Sequence, residues 1–150
     1  LINGALQRER YMNNKNNNAD KVELGIGDAL LVIDIQNDFL PGGRLAVPEG
    51  DQVIAVMNNY IERFIQWQLP VFATRDWHPK NHGSFIMQGG PWPDHCIAGS
   101  TGAEFARSLH LPATVPVFST GIEVENEGYS GFEKAMRAWA QENGIPFTAP

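Results

Sequence analysis

A chain of 150 residues, 43% hydrophobic and 19% charged, is sized and composed for one globular domain with a buried core. Its net charge of −6, with no basic cluster, argues against a nucleic-acid-binding surface. No apolar run approaches the roughly 20 residues of a membrane span and nothing reads as a signal-peptide core, while the single cysteine, Cys96, excludes an internal disulfide and favours a reducing, cytoplasmic setting.

The chain opens on a polar stretch, with Asn13, Asn14, Asn16, Asn17 and Asn18 between Arg8 and Asp20. Such a stretch buries too little surface to offset its ordering entropy, so residues 1–21 are predicted to be a flexible polar tail and 22–150 the folded domain. Ala29 to Ile35 (ALLVIDI) is a near-continuous apolar run, the pattern of a parallel strand covered on both faces. Pro41-Gly42-Gly43 is a loop. From Asp51 to Gln68 the apolar residues Val53, Met57, Tyr60, Ile61, Phe64 and Ile65 have the spacing of an amphipathic helix, which Pro70 ends. Val71 to Thr74 reads as a second strand, followed by a long loop from Arg75 to Thr101. A short helix over Ala103 to Leu109 and a third strand over Val115 to Ser119 come next. A last helix is predicted from Phe132 to Asn143, with Phe132, Met136 and Trp139 on one stripe and Gly144 as its stop. Strands alternating with helices predict the α/β class with an open parallel sheet, and there is no internal repeat or second domain.

Chemistry-bearing residues gather where strands end. Asp34 closes the first apolar strand, where a carboxylate is costly unless paired or hydrogen-bonded. It either caps the following loop or belongs to a ligand site, since ligands of open α/β sheets sit beyond the carboxyl ends of strands. Asp76 repeats the pattern after the second strand, on the same edge. In Asp76-Trp77-His78 alternate side chains of an extended segment can approach one ion, and His95 in Trp92-Pro93-Asp94-His95-Cys96 completes a carboxylate and two imidazoles. That set suits one divalent cation, zinc or iron, with His82 either a fourth ligand or a group that orients the others. The plainer alternative is that these loop histidines hydrogen-bond the backbone. Cys96, the lone thiol, reads more simply as a small buried apolar group than as a nucleophile.

Four segments carry a family resemblance: Asp34 to Val47 (DIQNDFLPGGRLAV), Thr74 to Phe85 (TRDWHPKNHGSF), Trp92 to Phe105 (WPDHCIAGSTGAEF) and Tyr129 to Phe132 (YSGF). In order and spacing, from about residue 29 to residue 145, they resemble the nicotinamidases, also called pyrazinamidases, a metal-dependent branch of the isochorismatase-like cysteine hydrolases. The Asp-x-His segment separates this branch from isochorismatases and carbamoylases of the same fold.

The resemblance implies hydrolysis of nicotinamide to nicotinate and ammonia, in the service of NAD salvage. Asp34 would take a thiol proton, the thiolate would attack the carboxamide carbon, and water would then cleave the thioester. The metal held by Asp76, His78 and His95 would bind the pyridine nitrogen, with Phe39, Trp92 and Tyr129 around the ring. Each of these aromatics is equally readable as core filling. Two departures accompany the match. Thr120, in Val117-Phe118-Ser119-Thr120-Gly121, stands where the family has a lysine, and the family's nucleophile turn has no counterpart in residues 1–150. The domain is therefore expected to be incomplete at its C-terminal strands, with a second copy or a complementing chain covering the exposed sheet, and the chain alone is expected to turn nicotinamide over weakly or not at all. Two alternatives to the amidase remain open: a metal- and ligand-binding relative without turnover, and a hydrolase that uses metal-bound water.

Overall fold

The computed structural model describes residues 24–25, 27–125, 128, 130–131 and 134–144. The tail predicted over residues 1–21, together with Tyr129, Phe132 and the Met136 side chain, lies outside the described residues.

Three parallel strands, β1 (Leu30–Ile33), β2 (Val71–Asp76) and β3 (Val117–Thr120), form one sheet in the order β1-β2-β3. Leu30 lies opposite Val71 and Ile33 opposite Thr74, while Ala73 lies opposite Val117 and Asp76 opposite Thr120. Because side chains alternate across a strand, the apolar runs feed two faces. Val32, Val71 and Ala73 pack with Ile54, Ile61 and Phe64 of helix α1 (Val53–Gln66). Phe72 and Phe118 face the other way, where Trp139 of helix α2 (Lys134–Glu142) sits edge-on to Phe72 at 4.7 Å. Helices thus cover both faces, as the alternation of elements predicts. Burial of each large apolar side chain in α1 contributes about 1.5–3 kcal/mol.

The structure moves several expected boundaries for local physical reasons. β1 stops at Ile33 because Asp34 adopts a left-handed conformation, φ 50°, and turns the chain out of the ladder. The helix begins at Val53, after a 3-10 turn over Gly50–Gln52. Its inward stripe is Ile54, Met57, Ile61 and Phe64, whereas Val53, Tyr60 and Ile65 are exposed. α1 ends in a Schellman arrangement: Gln68 is left-handed at φ 56°, its N–H donates to Ile65 O, and Leu69 N–H donates to Phe64 O. β2 continues to Asp76, and Val115, expected in the third strand, packs on the core just before it. The helix expected over Ala103 to Leu109 does not form. Only a 3-10 turn, Thr101–Ala103, is present, because the next backbone groups pair elsewhere. Glu104 O accepts from Asn37 N–H, and Ala106 N–H donates to Ile35 O. α2 stops at Glu142, with Gly144 left-handed at φ 67° as the predicted terminator.

Among the described residues, β1 and β3 each keep one unpaired edge, and Ile33 beside the β1 edge is 56% exposed. The carboxyl ends of all three strands open on one cavity, which Asp34, Asp76 and Thr120 line.

Candidate metal centre and adjoining cavity

Asp76 is the last residue of β2, and the segment after it stays extended long enough to pair with the loop that carries His95. His78 N–H donates to Cys96 O at 2.9 Å and Ala98 N–H donates to His78 O at 2.8 Å, a short parallel bridge between distant loop segments. That stitching sets His95 beside His78, their ring centroids 5.0 Å apart. Asp76, His78 and His95 then offer ligand atoms that all lie within 4.8 Å of one another. Asp76 Oδ2 is 3.4 Å from His78 Nε2 and 3.8 Å from His95 Nε2.

The outer nitrogen of each imidazole is already committed. His78 Nδ1 donates to Gly121 O at 3.0 Å and His95 Nδ1 donates to Pro93 O at 2.7 Å, since a carbonyl can only accept. In the neutral rings this leaves the Nε2 lone pairs facing the Asp76 carboxylate, the tautomer a metal ligand needs. Phe85, 1% exposed, closes the apolar side, with centroids 5.5 Å from His78 and 5.6 Å from His95. The donor set fits a divalent ion of the zinc type in number, chemistry and burial.

Charge at the cluster follows from its contacts. In the metal-free protein burial pushes the Asp76 carboxyl up, but hydrogen bonds from His78 and His95, when their Nε2 atoms carry a proton, and from Thr120 outweigh it and hold the group well below the usual carboxylate range. For His95 burial works against protonation, yet Asp76 and the Pro93 carbonyl prevail and raise it above its ordinary value.

His82 stands outside the ligand cluster. Ser84 N–H donates to His82 Nδ1 at 3.3 Å and Ser84 Oγ lies 2.7 Å from the same nitrogen, so Nδ1 accepts and the proton resides on Nε2. Its ring lies against His78 with centroids 4.3 Å apart, which supports that ligand from behind.

Beside the cluster is a cavity of about 300 Å³, with Asp34, Thr74, Asp76, His95, Thr120 and Trp92 among its walls. Asp34 Oδ1 accepts from Thr74 Oγ1 at 2.8 Å. Burial raises the Asp34 carboxyl, the Thr74 bond opposes the rise, and the Asp76 charge adds to it. Trp92, for which the resemblance implies a ring contact, is among the walls of this cavity. Phe39 is half-buried and meets the His95 ring at 5.7 Å, so it backs that imidazole and is not among the residues lining the space. Tyr129 lies outside the described residues.

Cys96 is fully buried, in a left-handed conformation at φ 45°. Burial, then the Asp76, Asp38 and Asp34 charges, push its thiol far up. Burial, the raised thiol and its place outside the cavity lining all weigh against Cys96 as a nucleophile.

The sequence reading gave no role to four buried polar residues, Gln36, Asp38, Thr74 and Ser84. Asp38 accepts from Cys96 N–H at 2.7 Å and from Arg44 N–H at 3.2 Å. Gln36 is fully buried and bonds to Asp76 and Ala103. For Gln36 and Asp38 the only signal was their alternation with Asp34 (positions 34, 36 and 38) just past an apolar strand.

The isochorismatase domain family matches residues 28–146. The nicotinamidase of Escherichia coli is 42% identical over 119 residues, covering 69% of this chain and 56% of that protein. The nicotinamidase/pyrazinamidase of Mycobacterium tuberculosis is 37% identical over 121 residues, covering 79% of this chain and 61% of that protein. Among solved structures, the pyrazinamidase of Pyrococcus horikoshii in complex with zinc superposes with a TM-score of 0.73 at 47% identity, covering 78% of this chain and 65% of that one. The chain spans a little over half the length of the curated relatives it matches.

Proposed function

A chain matched over residues 28–146 belongs to the isochorismatase domain family, and from that membership we propose that it forms the metal- and ring-binding part of a nicotinamidase-type amide hydrolase. The observation that carries this reading is the convergence of Asp76, His78 and His95, with both imidazole Nδ1 atoms turned to carbonyls. The neighbouring nicotinamidases and the zinc-bound pyrazinamidase support it.

Asp76 Oδ2, His78 Nε2 and His95 Nε2 would hold one divalent ion, zinc or iron. When bound, that ion supplies a positive centre that accepts the lone pair of a pyridine nitrogen. The remaining roles belong to the protein. Trp92 offers a flat apolar wall for the ring, with Phe39 bracing His95, and the same setting is assigned to Tyr129. Asp34 would be the base toward a cysteine thiol supplied from outside residues 1–150: its carboxylate takes the thiol proton, the C–S bond forms at the carboxamide carbon, and the C–N bond breaks as ammonia leaves with that proton. Water then cleaves the thioester to the carboxylate. Thr74 fixes the Asp34 carboxyl, and burial raises its proton affinity toward the range useful to a base. Cys96 is not the attacking thiol.

Calorimetry with metal-free and zinc-loaded protein tests the ring site. Nicotinamide should bind only the zinc-loaded form, and benzamide, which lacks the ring nitrogen, should bind far more weakly. Equal binding of the two would remove the metal from ligand recognition. Ammonia release from nicotinamide, measured with a thiol-bearing remainder of the domain present and lost in Asp34→Asn, tests the hydrolase role, since asparagine keeps the left-handed backbone while deleting the base.

One observation favours a second reading, a ligand-binding relative without turnover. Thr120 donates its hydroxyl to Asp76, where the family resemblance expects a lysine. Metal-dependent nicotinamide binding with no ammonia release even when a thiol-bearing remainder of the domain is present would select it.

A further inference from the structure

We propose that Gln36 is a positioning residue for the metal centre, its side-chain carboxamide standing in for a missing peptide unit of β1. In a parallel ladder a residue's N–H and C=O both face the same neighbouring strand, and alternate residues face alternate neighbours. Thr74 O faces β1 and accepts from Asp34 N–H at 3.3 Å, so Asp76, two residues on, also presents its N–H and C=O to that side. The β1 backbone is no longer there, because the chain has turned away at Asp34, φ 50°. The Gln36 amide fills the place. Gln36 Oε1 accepts from Asp76 N–H at 2.8 Å, and Gln36 Nε2 donates to Asp76 O at 2.8 Å.

The clamp is itself rigid. The second Nε2 hydrogen goes to Ala103 O at 2.9 Å, which fixes the orientation of the amide, since a flipped group would set oxygen against two carbonyls. The Gln36 backbone is held as well, in an antiparallel bridge to Phe105. The side chain is fully buried, so no water competes for these bonds. Asp76 is therefore gripped at its main chain by Gln36 and at Oδ1 by Thr120, which leaves Oδ2 toward His78 and His95. The inference rests on the reading of Asp76, His78 and His95 as metal ligands, and it assigns to Gln36 the geometry of the carboxylate ligand rather than a contact with substrate.

Chelator competition with zinc on the wild-type chain, Gln36→Met and a core variant, Ile61→Val, separates positioning from plain stability. Methionine keeps the volume and deletes all three bonds. Gln36→Met should lose about 10- to 100-fold in zinc affinity, the usual cost of removing a group that orients a ligand. It should also alter the visible absorption of the cobalt-substituted protein. Ile61→Val should keep wild-type affinity and spectrum even as its metal-free melting temperature falls. Equal zinc affinity in Gln36→Met and wild type overturns the positioning role alone, whereas absence of zinc binding by the wild type overturns the metal reading as well. Amide hydrogen exchange on the unsubstituted chain needs no variant to fold. The Asp76 N–H should exchange as slowly as that of Thr74 inside the strand, and exchange at the rate of exposed loop amides overturns the clamp.

Discussion

Thr120 Oγ1 donates to Asp76 Oδ1 at 2.9 Å, so one oxygen of the carboxylate is tied to β3 while the other faces two imidazoles. The hydroxyl has one proton to give, and its second neighbour, Arg75 O at 3.2 Å, is the weaker acceptor beside an ionised group. Position 120 thus sets the direction of the Asp76 carboxylate, the proposed metal ligand.

Thr120→Val keeps the shape of the side chain and deletes that donor. Zinc affinity should fall by about tenfold, toward the lower end of the effects seen when a ligand's hydrogen-bond partner is removed, because Gln36 still holds the Asp76 main chain. A chelator-competition titration reads this directly. Unchanged affinity would show that the hydroxyl bond does not direct the carboxylate.

Cys96 should be inert in the folded protein. It is fully buried and its thiol is pushed up first by burial and then by three carboxylates, so the thiolate is scarce at neutral pH. Iodoacetamide at pH 7.5, followed by mass spectrometry, should leave it unmodified in native protein and label it fully in guanidinium. Rapid labelling of the native chain would contradict the burial.

The metal-free protein should have a stability window set by the Asp76–His95 pair. Asp76 lies below its ordinary 3.8, so its contribution is present above that pH and is lost as the pH falls through the depressed folded value. His95 lies above its ordinary 6.5, so its contribution is full below that pH and is lost as the pH rises through the raised folded value. The difference in melting temperature between wild type and Asp76→Asn should therefore be greatest between pH 3.8 and 6.5 and shrink on both sides. Zinc should shift the optimum upward, since it requires neutral imidazoles. A difference that is flat across pH would sink the pairing.

Gly102→Ala should destabilise the fold although position 102 needs no special backbone angle. A Cβ there would meet the Asp38 carboxylate at 2.2 to 2.5 Å. Asp38 has no freedom to retreat, because its two oxygens accept from Cys96 and Arg44 main-chain N–H groups. A loss of about 1–3 kcal/mol is expected, as for other overpacked sites, with weakened zinc binding through the loop that carries His95. Denaturant unfolding measures it.

Much of this architecture is legible residue by residue. The apolar runs around Val32, Ala73 and Phe118 mark buried parallel strands, and the Asp-x-His spacing with His95 marks side chains that the fold brings together. What the sequence hides is work done by single residues across long intervals. Gln36 reaches Asp76 from 40 positions away, and no periodicity distinguishes such an amide from one left in solvent. The inward face of α1 shifts from Val53 to Ile54 because both are apolar, and the packing of Phe64 and Ile61 decides between them. The helix expected after Ala103 fails because Asn37 and Ile35 claim its backbone groups, a tertiary choice that local propensity cannot register.

The order in which contacts can form also follows from where they lie along the chain. Asp76, His78 and His95 belong to one continuous segment, whereas the groups that aim Asp76 arrive from remote ones, Gln36 across 40 residues and Thr120 across 44. Closing those long loops costs more entropy than closing the short one, so the parallel pairings are late and slow events in folding. If Asp76, His78 and His95 bind an ion as proposed, it can meet all three while the sheet is still unassembled and hold that loop shut. On the proposed metal reading, a divalent ion would act as a nucleus during refolding, and its presence in the refolding buffer should raise the yield of native chain.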